Sequence, residues 1–94
     1  MSDQPHDGLL NEDQNDYCHI LRCKIVHLTV LERRLMHVLN RLEAICDIIE
    51  PQSALWYDIN MLLLNTHSVL TTVMSQQVNA IEAIIDIKHP RSDR

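Results

Sequence analysis

The sequence predicts an all-α protein in which two long helices form an antiparallel helical hairpin. Three observations lead to this prediction: the 94 residues include one glycine, only 3% of them are aromatic, and apolar residues recur at helical spacing. Sheets need turn glycines and favour aromatic side chains, so an all-β sandwich or barrel is nearly excluded. The length allows one domain at most.

Residues 1–16 predict a flexible acidic N-terminal tail. They include five acidic side chains, a proline and a glycine, and they contain no lysine or arginine. A polar segment of like charge buries too little apolar surface to order itself. Helical periodicity starts at Tyr17, so we predict the first helix over residues 17–50. A short tail, residues 89–94, is predicted at the other end of the chain.

Pro51 separates the two helices, because proline lacks an amide donor and disfavours a helical conformation at the residue before it. We predict a turn at residues 51–52 and a second helix over residues 53–88, with Ser53 as its N-cap. Two alternatives stay open. One is a single long helix kinked at Pro51, and the other is a break of the second helix near Asn65.

Both helices carry the seven-residue repeat of a coiled coil, abcdefg, with apolar residues at positions a and d. In the first helix nine of the ten a and d positions are apolar: Cys18, Leu21, Ile25, Leu28, Leu35, Leu39, Leu42, Cys46 and Ile49. In the second helix eight of ten are apolar: Trp56, Ile59, Leu63, Leu70, Val73, Ala80, Ile84 and Ile87. The polar a residues Glu32 and Gln77 are predicted to set register and partner choice.

Apolar residues extend beyond these two columns. Position g adds Leu31, Val38 and Ile45 in the first helix and Leu55, Leu62 and Val69 in the second, and position e adds Met74 and Ile81. A two-helix seam does not need so wide a face, so each helix should contact more than one neighbour. The hairpin is therefore predicted to be completed by other helices, in an oligomer or a multi-subunit bundle.

Residues 59–81 contain no Asp, Glu, Lys or Arg. Their amides and hydroxyls are too numerous for a membrane span, so we interpret this run as a helix covered by protein on several sides. A neutral, solvated face is the alternative. Trp56 either closes the end of the bundle beside the turn or anchors a partner. The predicted partner interface comprises Leu31, Val38, Ile45, Trp56, Leu62, Val69, Thr71, Met74, Ser75 and Ile81.

No arrangement of residues predicts catalysis, a cofactor or a metal ion. His19, Cys23 and His27 are spaced at i, i+4 and i+8, but a closed zinc site needs four converging ligands and no second ligand pair is present. Phosphate-binding loops and nucleophile elbows need clustered glycines, and Gly8 stands alone. We therefore predict that the protein is not an enzyme.

The formal net charge of −5 argues against a general nucleic-acid binder. The Met-Ser-Asp start has neither basic residues nor an apolar run, so no secretory signal is expected. Three cysteines in such a chain fit a reducing compartment. We expect the protein in the cytoplasm, with the nucleus as a further option.

The helical layout of residues 17–88 resembles the short subunits of assemblies such as the lysosome-related-organelle biogenesis complex and the DASH kinetochore ring. The resemblance implies a non-catalytic structural or adaptor subunit of a multi-protein coiled-coil complex. Its partners would be other α-helical proteins, in a hetero-oligomer rather than a homo-oligomer. The alternative function is a homodimeric four-helix bundle that regulates by binding a target helix.

Overall fold

The computed structural model describes residues 11–90 and consists of two antiparallel helices. Helix α1 spans Glu12–Ile48 and helix α2 spans Ala54–Lys88. The two helices pack against each other along their length, which confirms the predicted all-α helical hairpin. Since the chain reverses at Pro51, it is not a single kinked helix, and α2 continues through Asn65 without a break.

Helix α1 begins five residues before its predicted start at Tyr17. Asn11 is the N-cap, and its side-chain oxygen accepts a hydrogen bond from the Gln14 backbone amide at 2.8 Å. The Gln14 side chain in turn accepts from the Asn11 backbone amide at 3.3 Å, which completes a capping box. The predicted tail over residues 1–16 therefore differs from the structure at residues 11–16, and residues 1–10 lie outside the described part.

The turn between the helices is closed by the Ser53 side chain. Its hydroxyl donates a hydrogen bond to the Glu50 carbonyl oxygen at 2.7 Å and accepts one from the Trp56 backbone amide at 3.2 Å. The hydroxyl thus ties the end of the turn to the first turn of α2 and satisfies an amide that has no partner within the helix. Gln52 adopts the left-handed conformation, with φ of 66°.

Helix α2 ends at Lys88, directly before the His89-Pro90 pair. The His89 backbone amide donates to the Ile85 carbonyl oxygen at 2.7 Å, and the helix stops before Pro90. Lys88 lies in the last turn, where a positive charge interacts favourably with the helix dipole. The last four residues of the predicted C-terminal tail are not part of the described structure.

The a and d positions of both helices form the core of the hairpin, here named the hairpin seam. All twenty predicted a and d positions are buried or half-buried. The best-covered side chains, Cys18 and Ala80, remain 4% exposed, and none among residues 11–90 is completely enclosed. Two helices can cover only one face of each other, so this core is thin and the remaining apolar faces stay open to solvent.

Candidate partner interface

The antiparallel packing places the g positions of both helices on one side of the hairpin. Tyr17 and Lys24, at position g of α1, line a single depression together with Gln76 and Ala83, at position g of α2. Because g and e flank the hairpin seam on opposite sides, the e positions of both helices share the other side. The two sides differ sharply in composition.

On the g side, the positions nearest the turn are aliphatic in both helices, and the surface that they form is here named the partner groove. It is formed by six aliphatic residues, Leu31, Val38, Ile45, Leu55, Leu62 and Val69. Each of them is between 36% and 55% exposed. Two columns of apolar residues, one from each helix, thus meet on the same side of the hairpin.

Position c borders the partner groove on each helix. On α1 this border carries the exposed residues Arg34 and Arg41, and on α2 it carries the exposed residues Asp58, Asn65 and Thr72. The groove therefore has one basic rim and one neutral-to-acidic rim. A helix that lies in it meets aliphatic side chains below and opposite electrostatic character on its two flanks.

The outward side of α2 forms a second apolar surface. The predicted interface residues Thr71, Met74, Ser75 and Ile81 are all exposed on it. The Thr71 hydroxyl donates to the His67 carbonyl oxygen at 3.0 Å within the helix, so it already has a hydrogen-bond acceptor. An exposed threonine with this bond can be covered without leaving its donor unpaired.

Sequence reasoning missed three apolar members of this surface, namely Leu64, Val78 and Ile85. All three are exposed at position b of α2. The signal is present in the sequence, since apolar residues recur at positions b and e of this helix, at alternating spacings of three and four residues. The a/d/g pattern is stronger and conceals it.

Trp56 lies half-buried in the hairpin seam beside the turn. Its ring meets the ring of Tyr57 edge-to-face, with centroids 5.0 Å apart and planes at 82°. The backbone carbonyl of Trp56 accepts a hydrogen bond from Asn60 Nδ2 at 2.8 Å, and Asn60 also lies 3.5 Å from Cys46 Sγ across the seam. Tyr57, by contrast, is 55% exposed, so the aromatic side chain that faces solvent at this end is the tyrosine.

The structure brings together the two polar a residues, Glu32 and Gln77. Gln77 Nε2 donates a hydrogen bond to Glu32 Oε1 at 2.9 Å, and both side chains are half-buried. Gln77 Nε2 also lies 3.3 Å from Thr29 Oγ1. The half-buried carboxylate of Glu32 thus has a hydrogen-bond donor, which comes from the other helix.

The histidines and cysteines of α1 form no metal-binding group. Cys23 Sγ lies 3.8 Å from His19 Nε2, one helical turn away on the exposed face. Among residues 11–90, no cluster of three or more His, Cys, Asp or Glu side chains is arranged to hold a metal ion. In the same part of the chain, neither helix has a stretch long and apolar enough to cross a membrane.

Comparisons with known proteins add no relative. No protein-family model matches the chain, and no curated protein or solved structure matches it significantly. The geometry of the hairpin is therefore the basis for the functional proposal.

Proposed function

We propose that the protein is a non-catalytic structural or adaptor subunit of a multi-protein helical complex. The observation that carries the proposal is the partner groove, in which aliphatic residues from both helices form one open surface. Large contiguous apolar patches on small proteins are characteristic of interaction sites. The aliphatic composition of the groove suits the apolar face of an amphipathic helix.

The energetics of the chain support the same proposal. Fully burying one aliphatic side chain contributes ~1.5–3 kcal/mol, and each residue of the groove is about half exposed, so each can still contribute roughly 1 kcal/mol. Six such residues together approach the net stability of a small domain, which is about 5–15 kcal/mol. A partner helix in the groove would therefore stabilise the hairpin substantially, and the isolated chain should be marginally stable or self-associated.

The two rims describe the partner. Its apolar residues should repeat at spacings of three and four to fit the groove. Acidic residues should lie on the flank that faces Arg34 and Arg41, because rim charges of opposite sign favour one orientation. The partner flank facing Asn65 and Thr72 can be uncharged. The proposed occupants of the groove are helices of other chains, in a hetero-oligomer. The proposed location is the cytoplasm or nucleus, where the three free thiols stay reduced.

A pair of matched substitutions tests the proposal. Val38 lies in the partner groove and Val30 lies on the outer face of α1, and both valines are 45% exposed. Tagged full-length chains carrying Val38→Glu or Val30→Glu are expressed in cells alongside the wild type, and the co-purified complexes are compared by native mass measurement. Helicity is checked by circular dichroism.

We expect the wild type and Val30→Glu to purify with the same helical partners at fixed stoichiometry, and Val38→Glu to lose them. A carboxylate in a covered groove must be desolvated, and pairing with Arg34 or Arg41 on the rim offsets that cost only in part. Equal retention of partners by both variants would show that the groove is solvated and would refute the proposal. A pure homodimer held through the groove would instead support the four-helix-bundle function.

A further inference from the structure

The outward side of α2 carries a second coiled-coil stripe, here named the outer seam. It follows positions b and e at alternating spacings of three and four residues and comprises Leu64, His67, Thr71, Met74, Val78, Ile81 and Ile85. All seven side chains are exposed, and none is an acid, lysine or arginine. Positions b and e lie about 100° around the helix from a and d. Helix α1 therefore cannot cover this seam.

The centre of the outer seam has the form of a hole for a facing side chain. An open surface depression with a volume of about 420 Å³ is lined by Asn79 and by four further residues, Thr71, Met74, Ser75 and Val78. The spacing of these four is i, i+3, i+4 and i+7, which is the spacing of the four residues that receive a knob in a coiled coil. Small side chains at Thr71 and Ser75 leave the depression open for a larger side chain from another helix.

The composition of the outer seam selects the direction of the helix that fills it. From Met74 to Ile85 the seam is entirely apolar, whereas the half that precedes Met74 contains His67 and Thr71. When a second copy of the helix lies parallel and in register, apolar residues lie opposite apolar residues and His67 lies opposite His67. An antiparallel arrangement that keeps the residues of the outer seam opposite each other would set His67 against Val78 or Ile85 and remove its hydrogen bonds to water, which is unfavourable.

Charges on the two flanks of the outer seam complement each other in that arrangement. Arg22, at position e of α1, lies on the flank towards α1, and Glu82, at position f of α2, lies on the opposite flank. They are at similar heights along the hairpin, because Leu21 and Ala80 line the same depression. A two-fold axis parallel to α2 brings the Arg22 flank of one copy against the Glu82 flank of the other, twice by symmetry.

We propose that the outer seam binds the outer seam of a second copy of this chain, parallel and in register. In this dimer Met74 of one copy enters the hole around Thr71 of the other. The partner groove lies on the other side of the hairpin and stays open in both copies. The dimer would therefore join two groove-bound partners, and its existence does not depend on what occupies the groove.

A mass measurement tests the dimer separately from the groove. The full-length chain with Val38→Glu, which blocks the groove, is examined by sedimentation equilibrium, alone and with Val78→Lys or Val30→Lys added. We expect a dimer for Val38→Glu and for its combination with Val30→Lys. With Val78→Lys the dissociation constant should rise at least a hundredfold, since the new charge must be desolvated.

Val78 is 52% exposed, so the substitution should spare the fold of the hairpin, and circular dichroism checks this. Met74→Lys is a second variant should Val78→Lys lose helicity. A monomeric Val38→Glu chain at about 100 µM would overturn the dimer. So would equal effects of Val78→Lys and Val30→Lys. Neither result bears on the groove, whose test is the loss of co-purified partners.

A charge exchange tests the direction and register. Arg22→Glu or Glu82→Arg alone would place like charges opposite each other at two symmetric sites, and the dissociation constant should rise about tenfold. The double variant Arg22→Glu with Glu82→Arg should return to within about threefold of the parent. Additive weakening in the double variant would exclude the parallel, in-register dimer.

Discussion

Gln77 Nε2 and Glu32 Oε1 are joined by a hydrogen bond of 2.9 Å across the middle of the hairpin seam. Both residues occupy position a, and all their neighbours at a and d, except Thr66, are apolar. The Gln77 amide also donates to Thr29 Oγ1 at 3.3 Å, while Thr29 Oγ1 itself donates to the Ile25 carbonyl oxygen at 2.8 Å. We expect a single polar layer of this kind to fix the register of two otherwise interchangeable apolar columns.

The first prediction concerns the two sides of this hydrogen bond. Gln77→Leu removes the donor and leaves the half-buried Glu32 carboxylate without its partner, so the free energy of unfolding should fall by about 1–3 kcal/mol. Glu32→Leu should have a smaller effect, because Gln77 keeps Thr29 as a partner. Replacing both residues by leucine should restore or exceed the original stability. Urea denaturation of the four proteins measures these differences, and a double variant weaker than either single variant would contradict the account.

The second prediction concerns Gln52, which adopts a left-handed conformation with φ of 66°. The side chain of a non-glycine residue crowds the backbone in this region, at a cost of about 1–2 kcal/mol. Gln52→Gly removes that crowding but increases the freedom of the unfolded chain, so we expect a net stabilisation of about 0.5–1 kcal/mol. Gln52→Ala keeps the Cβ atom and is the control. Gln52→Ala should leave the unfolding midpoint unchanged. Equal effects of the two substitutions would show that the backbone at Gln52 is not strained.

The third prediction concerns the start of α1. Asn11→Ala removes the acceptor for the Gln14 amide and should reduce helix stability by about 1 kcal/mol. The effect should be local, because residues 12–16 are exposed and contribute little to the hairpin seam. Hydrogen exchange at the amides of the first turn should accelerate, while exchange at Leu28 stays unchanged. Gln14→Ala breaks only the other half of the capping box and should have a weaker effect.

Most of the fold could be predicted from the sequence because a single periodic pattern determines it. Every a and d position falls in the hairpin seam, and Pro51 marks the reversal between the helices. The start of α1 could not be predicted from composition, because acidity and a nearby glycine favoured a tail over the Asn11–Gln14 capping box. The left-handed conformation at Gln52 has no sequence signal, since the chain has no glycine there.

The candidate interface could be predicted only in part. The g columns of both helices are visible in the sequence, but only the antiparallel register shows that Val38 and Leu62 lie on the same side of the hairpin. Trp56, expected to plug the bundle or to anchor a partner, lies half-buried beside the turn. Val78 and Ile85 were overlooked because position b of α1 is largely polar, and the repeat at b and e exists in α2 alone.

The last prediction concerns the uncharged run of residues 59–81. If the outer side of α2 is covered in the assembly, Ser75→Glu or Thr71→Lys introduces a charge that must be desolvated without a counter-charge. The affinity of the chain for the subunit that covers this side should then fall about a hundredfold or more. Both side chains are exposed in the hairpin itself, so its folding should be spared. The combined change Arg33→Ala with Arg34→Ala is the contrast, because exposed rim charges contribute only ~0–1 kcal/mol each. Binding titrations on refolded variants compare the charge substitutions at Ser75 and Thr71 with the change at Arg33 and Arg34. Unchanged affinity with both new charges would mean that this side of α2 faces solvent.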